Sequence, residues 1–172
     1  NAARMMVETG CSAIKIEGGL EMVETVKFLT ERGISVMAHI GLMPQTLESV
    51  GGYRAHGKEA VEATKLLAEA KALEDAGAFA IVLEGIVEAV AAKITAEISI
   101  PTIGIGASPA CDGQILVSDD VLGIFQDFTP KFVKQYAQMG EVISNAVQQY
   151  AQDVRNNSFP EQQHCFGIKK VV

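Results

Sequence analysis

The sequence predicts an α/β fold, a (β/α)₈ TIM barrel of which this chain supplies about the last five βα units. Three observations lead there. Short runs rich in Ile and Val alternate with helical stretches, the pattern of parallel βα units. Glycines at 10, 33 and 77 follow predicted helices, where a left-handed cap is expected. In each predicted strand, alternate residues separate a bulky apolar side from a small or polar side that ends in a functional group.

In chain order, helices are expected at 2–9, 20–32, 58–76, 87–97 and 131–154. Strands are expected at 11–17, 34–39, 79–84 and 100–105, with a weaker one at 115–117. The last helix is read with Thr129 as its N-cap and Pro130 at its first position. A loop at 41–57 is too long for a plain connector. Residues 10–17 echo residues 77–84: a helix cap, a strand, then a carboxylate at its end. The whole of 1–172 reads as a single domain, with 131–172 as its C-terminal helix and tail.

Parity favours a barrel over a doubly wound sheet. Ile14 and Ile16 share one side of their strand, and Lys15 and Glu17 the other. Ile81 and Leu83 oppose Val82 and Glu84, and Ser35, Met37 and His39 oppose Val36 and Ala38. Ile103 and Ile105 are likewise expected to face the helices, opposite Thr102 and Gly104. A doubly wound sheet wants both faces apolar, which Lys15 does not suit. Barrels of this kind have eight strands in about 250 residues. The chain starts at Asn1, inside a helical pattern, so the missing βα units are expected upstream.

Composition narrows the function. The 172 residues are 48% apolar and 20% charged, enough for a packed core. A net charge of −7 leaves no basic stripe, which argues against nucleic acid. The longest apolar run, 78–83, is far below the ~18 residues of a membrane span, so no membrane association is expected. Cys11, Cys111 and Cys165 match no zinc spacing and cannot all pair within one chain. They suit a reducing compartment, the cytoplasm.

Four residues at strand ends carry the candidate chemistry. Lys15 and Glu17 precede Gly18-Gly19, which would let backbone approach a ligand. Such a lysine can hold a carboxylate or enolate, and such a glutamate a hard cation. The competing reading is an internal ion pair. His39 closes the next strand and reads either as a buried core histidine or as a site residue. Glu84 ends the most apolar strand, where burial would raise its pKa toward that of a general base. A solvated strand-end glutamate is the plainer alternative. Gly104, Gly106 and Ser108 fall where barrels often receive a ligand group, though glycine can also simply relieve crowding. Tyr136, Gly140, Ile143, Val147, Tyr150 and Val154 form a regular seam on the last helix, fit for another helix or for its own barrel.

Residues 14–19 (Ile-Lys-Ile-Glu-Gly-Gly), 39–45 (His-Ile-Gly-Leu-Met-Pro-Gln), 51–54 (Gly-Gly-Tyr-Arg), 82–84, 100–107 and 112–116 together resemble the ketopantoate hydroxymethyltransferase family, in family order. The resemblance implies a phosphoenolpyruvate/pyruvate-type barrel that uses Mg²⁺. It implies transfer of a hydroxymethyl group from 5,10-methylenetetrahydrofolate to 3-methyl-2-oxobutanoate through a Mg-stabilised enolate, giving 2-dehydropantoate on the way to pantothenate and coenzyme A. It further implies Glu84 as proton acceptor, Lys15 and His39 as substrate-binding, Glu17 as a metal ligand, and a homodecamer whose C-terminal helices exchange. The family's aspartate-serine pair and a further aspartate lie upstream of the matching segment, so the site here is incomplete. Met43 and Ser108 depart from the family's usual Thr and Gly. Two other readings stay open: a Mg²⁺-dependent carbon–carbon lyase of the isocitrate lyase type, and a non-catalytic fragment of the transferase.

Overall fold

The computed structural model describes residues 1–43, 55–125 and 127–167. The loop motifs at Pro44, Gln45 and 51–54 lie outside the described residues. Contacts group the chain into two compact units, Asn1–Ile115 and Leu116–Val172.

The first unit holds α1 (Ala2–Thr9), β1 (Ile14–Glu17), α2 (Val23–Thr30, after a 3₁₀ turn at Leu20–Met22) and β2 (Val36–Gly41). It continues with α3 (Ala60–Asp75), β3 (Ala80–Glu84), α4 (Glu88–Glu97), β4 (Thr102–Ile105) and β5 (Gly113–Gln114). The five strands form one sheet in the order β1-β2-β3-β4-β5, and every neighbouring pair is parallel. Strand order thus follows chain order with no reversal, whereas doubly wound sheets reverse at a switch point. This α/β arrangement is consistent with part of a TIM-type barrel.

The helices form where the apolar spacing allows one face to be buried. Leu66, Ala70 and Leu73 line one face of α3, and Ala91 and Ile94 one face of α4. They join Val36, Ala38, Ile40, Ile81 and Leu83 in one core. Fully burying a side chain such as Leu73 is worth about 1.5–3 kcal/mol. Gly10, Gly33 and Gly77 take the expected positive φ after their helices.

Three expectations need correction. First, β4 is inverted. Its register pairs Ile81 with Thr102 and Leu83 with Gly104, and residues paired in register share a face. Thr102 and Gly104 therefore lie on the helix side, and Ile103 and Ile105 lie on the side of Val82 and Glu84. Small residues are required there because Thr95 meets Thr102 at 2.9 Å, and a Cβ on Gly104 would crowd Cys111 and Gln114. Second, the weak strand lies at Gly113–Gln114 rather than 115–117, because Gly104 pairs with Gln114.

Third, the last helix begins later. In the second unit, α5 (Ser118–Leu122) is followed by α6 (Met139–Arg155), which starts eight residues after the expected 131. Pro130 instead closes a turn, accepting from the Val133 N–H. Tyr136 N–H donates to the Val121 carbonyl and Gly140 N–H to that of Gly123, so the chain before α6 is tied to α5. α5 itself was not expected, although Asp119 and Asp120 in its first turn and the left-handed Gly123 after it are ordinary helix signals. The seam residues Ile143, Val147, Tyr150 and Val154 are all exposed.

One glycine sets the turn at the end of β2. Gly41, at the end of β2, has φ 95, and a Cβ there would overlap the Glu84 carbonyl oxygen. Gly41→Ala is expected to lower the unfolding free energy of the full-length protein by more than about 2 kcal/mol in urea titrations, from left-handed strain plus that overlap. A loss below about 0.5 kcal/mol would show that this turn tolerates a side chain.

Candidate active site

Parallel pairing brings three strand ends together on one face. Glu17 pairs in register with His39, His39 with Val82, and Gly41 with Glu84. Lys15, Glu17, His39 and Glu84 consequently meet as a single charged cluster on the face away from the α2–α4 core.

Lys15 Nζ donates to Glu17 Oε1 at 2.9 Å and lies 3.2 Å from His39 Nδ1. An ammonium has only donors, so Nδ1 must accept and the imidazole proton sits on Nε2. That Nε2–H donates to the Leu42 carbonyl at 3.0 Å and lies 3.4 Å from Glu84 Oε2. Glu17 Oε1 stands 3.7 Å from Nδ1. Leu42 closes the circle, because its N–H donates to the Glu84 carbonyl at 2.8 Å. The positive φ of Gly41 turns Leu42 back to make both bonds.

Electrostatics follow from burial. The His39 side chain is 1% exposed and that of Glu84 13%. Burial holds the His39 pKa below its usual value, and the Lys15 ammonium adds to this. Glu17 and the bond to Leu42 oppose it. The ring is therefore neutral, in agreement with the tautomer above. Burial also pushes the Glu84 carboxyl up; Lys15 pulls it down and Glu17 pushes it up further. A carboxylate with a raised pKa in a partly closed site is suited to accept a proton.

Two further features hold the turns that follow β4 and β2. Ser108, almost fully buried, donates to Glu88 Oε1 at 2.9 Å and accepts from the Ala110 N–H, while its carbonyl accepts from Gln114 Nε2. It clasps the turn after β4 to the start of α4. The Leu42 carbonyl is the second feature. Being backbone, it leaves no mark in side-chain chemistry. Glu21's own backbone N–H and the Gly19 N–H, which donates to Glu21 Oε1 at 2.8 Å, hold that carboxyl's pKa below its usual value.

The metal question turns on donors. Among the described residues, no group of three or more His, Cys, Asp or Glu side chains could hold a metal ion. Glu17 offers one hard oxygen donor at the edge of the cluster. Mg²⁺ is often held by one or two carboxylates, with substrate oxygens and water completing its octahedron, so a single ligand from this chain fits that habit.

Comparison with known proteins gives the cluster its context. The family profile described as ketopantoate hydroxymethyltransferase matches residues 1–162. The chain is 57% identical over 170 residues to the 3-methyl-2-oxobutanoate hydroxymethyltransferase of Paramagnetospirillum magneticum, which covers 99% of this chain and 62% of that protein. It is 59% identical over 170 residues to the protein of that name from Sinorhizobium fredii, with the same coverage. For that of Bordetella petrii the identity is 56% over 169 residues, 98% of this chain and 62% of the relative. The chain thus spans 62% of the length of the curated relatives it matches. With a profile match over nearly its full length, this chain belongs to the ketopantoate hydroxymethyltransferase family.

Proposed function

We propose that the protein containing this chain transfers a hydroxymethyl group from 5,10-methylenetetrahydrofolate to 3-methyl-2-oxobutanoate, forming 2-dehydropantoate for pantothenate and coenzyme A synthesis in the cytoplasm. The observation that carries the reading is the meeting of a carboxylate of raised pKa, Glu84, with Lys15 and Glu17 around one neutral histidine.

In this reading the whole protein is a closed (β/α)₈ barrel, and the cluster lies at the C-terminal rim of its strands. Glu17 would be one ligand of Mg²⁺, which supplies Lewis-acid polarisation of the ketoacid oxygens. Lys15 faces the same oxygens with a fixed positive charge and opposes the charge that builds up as C3 loses its proton. Glu84 Oε takes that proton. C3 of the resulting enolate bonds to the folate methylene carbon as its bond to N10 breaks and N10 takes a proton. Water then displaces N5 from that carbon, supplying the product hydroxyl and leaving its other proton on the departing tetrahydrofolate. The protein assembles as a homodecamer, which the exposed apolar seam of α6 supports.

The test uses the full-length protein with Mg²⁺ and 3-methyl-2-oxobutanoate in D₂O. NMR is expected to show loss of the C3 proton signal without folate, and hydroxymethyl product only when methylenetetrahydrofolate is added. Exchange without any folate-dependent product would point to a lyase instead. No exchange at all would overturn the reading.

A further inference from the structure

We infer that His39 does not bind substrate but is a positioning residue, a two-sided strut whose Nδ1 holds the Lys15 ammonium and whose Nε2–H holds the β2 exit turn and the Glu84 carboxylate. This deepens the proposed function and rests on it.

Three observations carry it. The His39 side chain is 1% exposed, the most enclosed member of the cluster, so little of its surface is open to a ligand. Both ring nitrogens are already engaged: Nδ1 at 3.2 Å from Lys15 Nζ, and Nε2 at 3.0 Å from the Leu42 carbonyl. Its Nε2 is also 3.4 Å from Glu84 Oε2, while Leu42 N–H binds the Glu84 carbonyl. The ring therefore touches the base directly and grips the turn that holds the base's backbone. A histidine so placed has no free polar atom for a ketoacid. It does have one contact with each of the two groups proposed to act on that ketoacid.

The two nitrogens can be separated by substitution. His39→Asn sets an amide oxygen near the Nδ1 position, so it keeps an acceptor for Lys15 and loses the Nε2 donor. His39→Gln reaches the Nε2 position, so it keeps that donor and loses the acceptor. In the full-length protein, His39→Asn is expected to lower kcat for C3 exchange on the order of 10²-fold, the effect of misplacing a base, with little change in KM. His39→Gln is expected to raise KM for 3-methyl-2-oxobutanoate about tenfold, the loss of one hydrogen bond to a charged group, with a smaller fall in kcat. If both variants raise KM alike and spare kcat, His39 binds substrate and the inference is wrong.

A second measurement does not depend on the variants folding. Imidazole ¹⁵N NMR of the wild-type protein should find Nε2 protonated and Nδ1 bare. The Nδ1 signal should move in Lys15→Met and the Nε2 signal in Glu84→Gln. A proton on Nδ1 overturns the inference. Absence of wild-type exchange would overturn the proposed function, and the NMR arm would still judge the strut.

Discussion

Glu84→Gln in the full-length protein is expected to remove C3 proton exchange of 3-methyl-2-oxobutanoate, a loss of about 10²–10⁴-fold, the usual contribution of a positioned base. The amide keeps the shape of the side chain beside His39 Nε2, but it cannot take up the proton. NMR in D₂O reads the rate, and wild-type exchange in this variant would show that another group is the base. Stability should change in the opposite sense. Because burial raises the Glu84 pKa, the folded state binds its proton more tightly than the unfolded chain does. The stability this provides is full below the usual glutamate pKa, about 4.3, and is lost as pH rises through the higher folded value. At neutral pH the wild type therefore carries the cost of a half-closed carboxylate, and Glu84→Gln does not. The variant should melt at a higher temperature than the wild type at pH 7, and this advantage should vanish at acid pH. His39 acts with the opposite sign, since its lowered pKa gives stability that is lost as pH falls below about 6.5. Both proteins share His39, so the comparison largely cancels its contribution. An equal melting temperature at every pH would show that Glu84 is not held in its raised state by the fold.

Lys15→Met should lower kcat/KM for the ketoacid by about 10²–10³-fold, the scale expected when one charge-stabilising donor is lost. Methionine keeps much of the length of the side chain and none of the charge. The substitution has a second consequence, on the pH profile. Lys15 pulls the Glu84 pKa down and the His39 pKa down. Without it, both rise, so the acid limb of the exchange profile, set by ionisation of Glu84, should move to higher pH. A fall in rate with an unmoved acid limb would mean that Lys15 acts on substrate alone and not on the base.

Some of this site was readable from one-dimensional pattern. Glu17 and Glu84 each close a strand, Lys15 and Glu17 alternate with Ile14 and Ile16 in β1, and the bulk of Ile81 and Leu83 assigns the faces of β3. β2 runs to Gly41, two residues past its expected end, so His39 lies inside it rather than closing it. The rule failed in β4, where Ile103, Gly104 and Ile105 offer no polar marker. Bulk then suggested the wrong side, because the space on the helix side is already taken by Thr95, Cys111 and Gln114. The start of α6 failed for a related reason. Thr129-Pro130 is a good local helix opening, but the bonds of Tyr136 and Gly140 to the carbonyls of Val121 and Gly123 hold the chain before Met139 in another conformation.

The sequence by itself determined the elements of β1–β4 and their helices and the chemical inventory: which runs become those strands, where glycines stop helices, and that a lysine, a histidine and two glutamates stand on the first three of them. These are properties of period and composition, decided within a few residues along the chain. Only the tertiary structure decided register, and register sets the chemistry. Pairing Glu17 with His39 and Gly41 with Glu84 puts one imidazole between a lysine and a carboxylate, and the left-handed turn at Gly41 adds a backbone carbonyl that no side-chain pattern encodes. The tautomer of His39 and the raised pKa of Glu84 arise from that three-dimensional enclosure. Burial and charge–charge distance are sums over neighbours distant in sequence, and they take values only once the strands have paired.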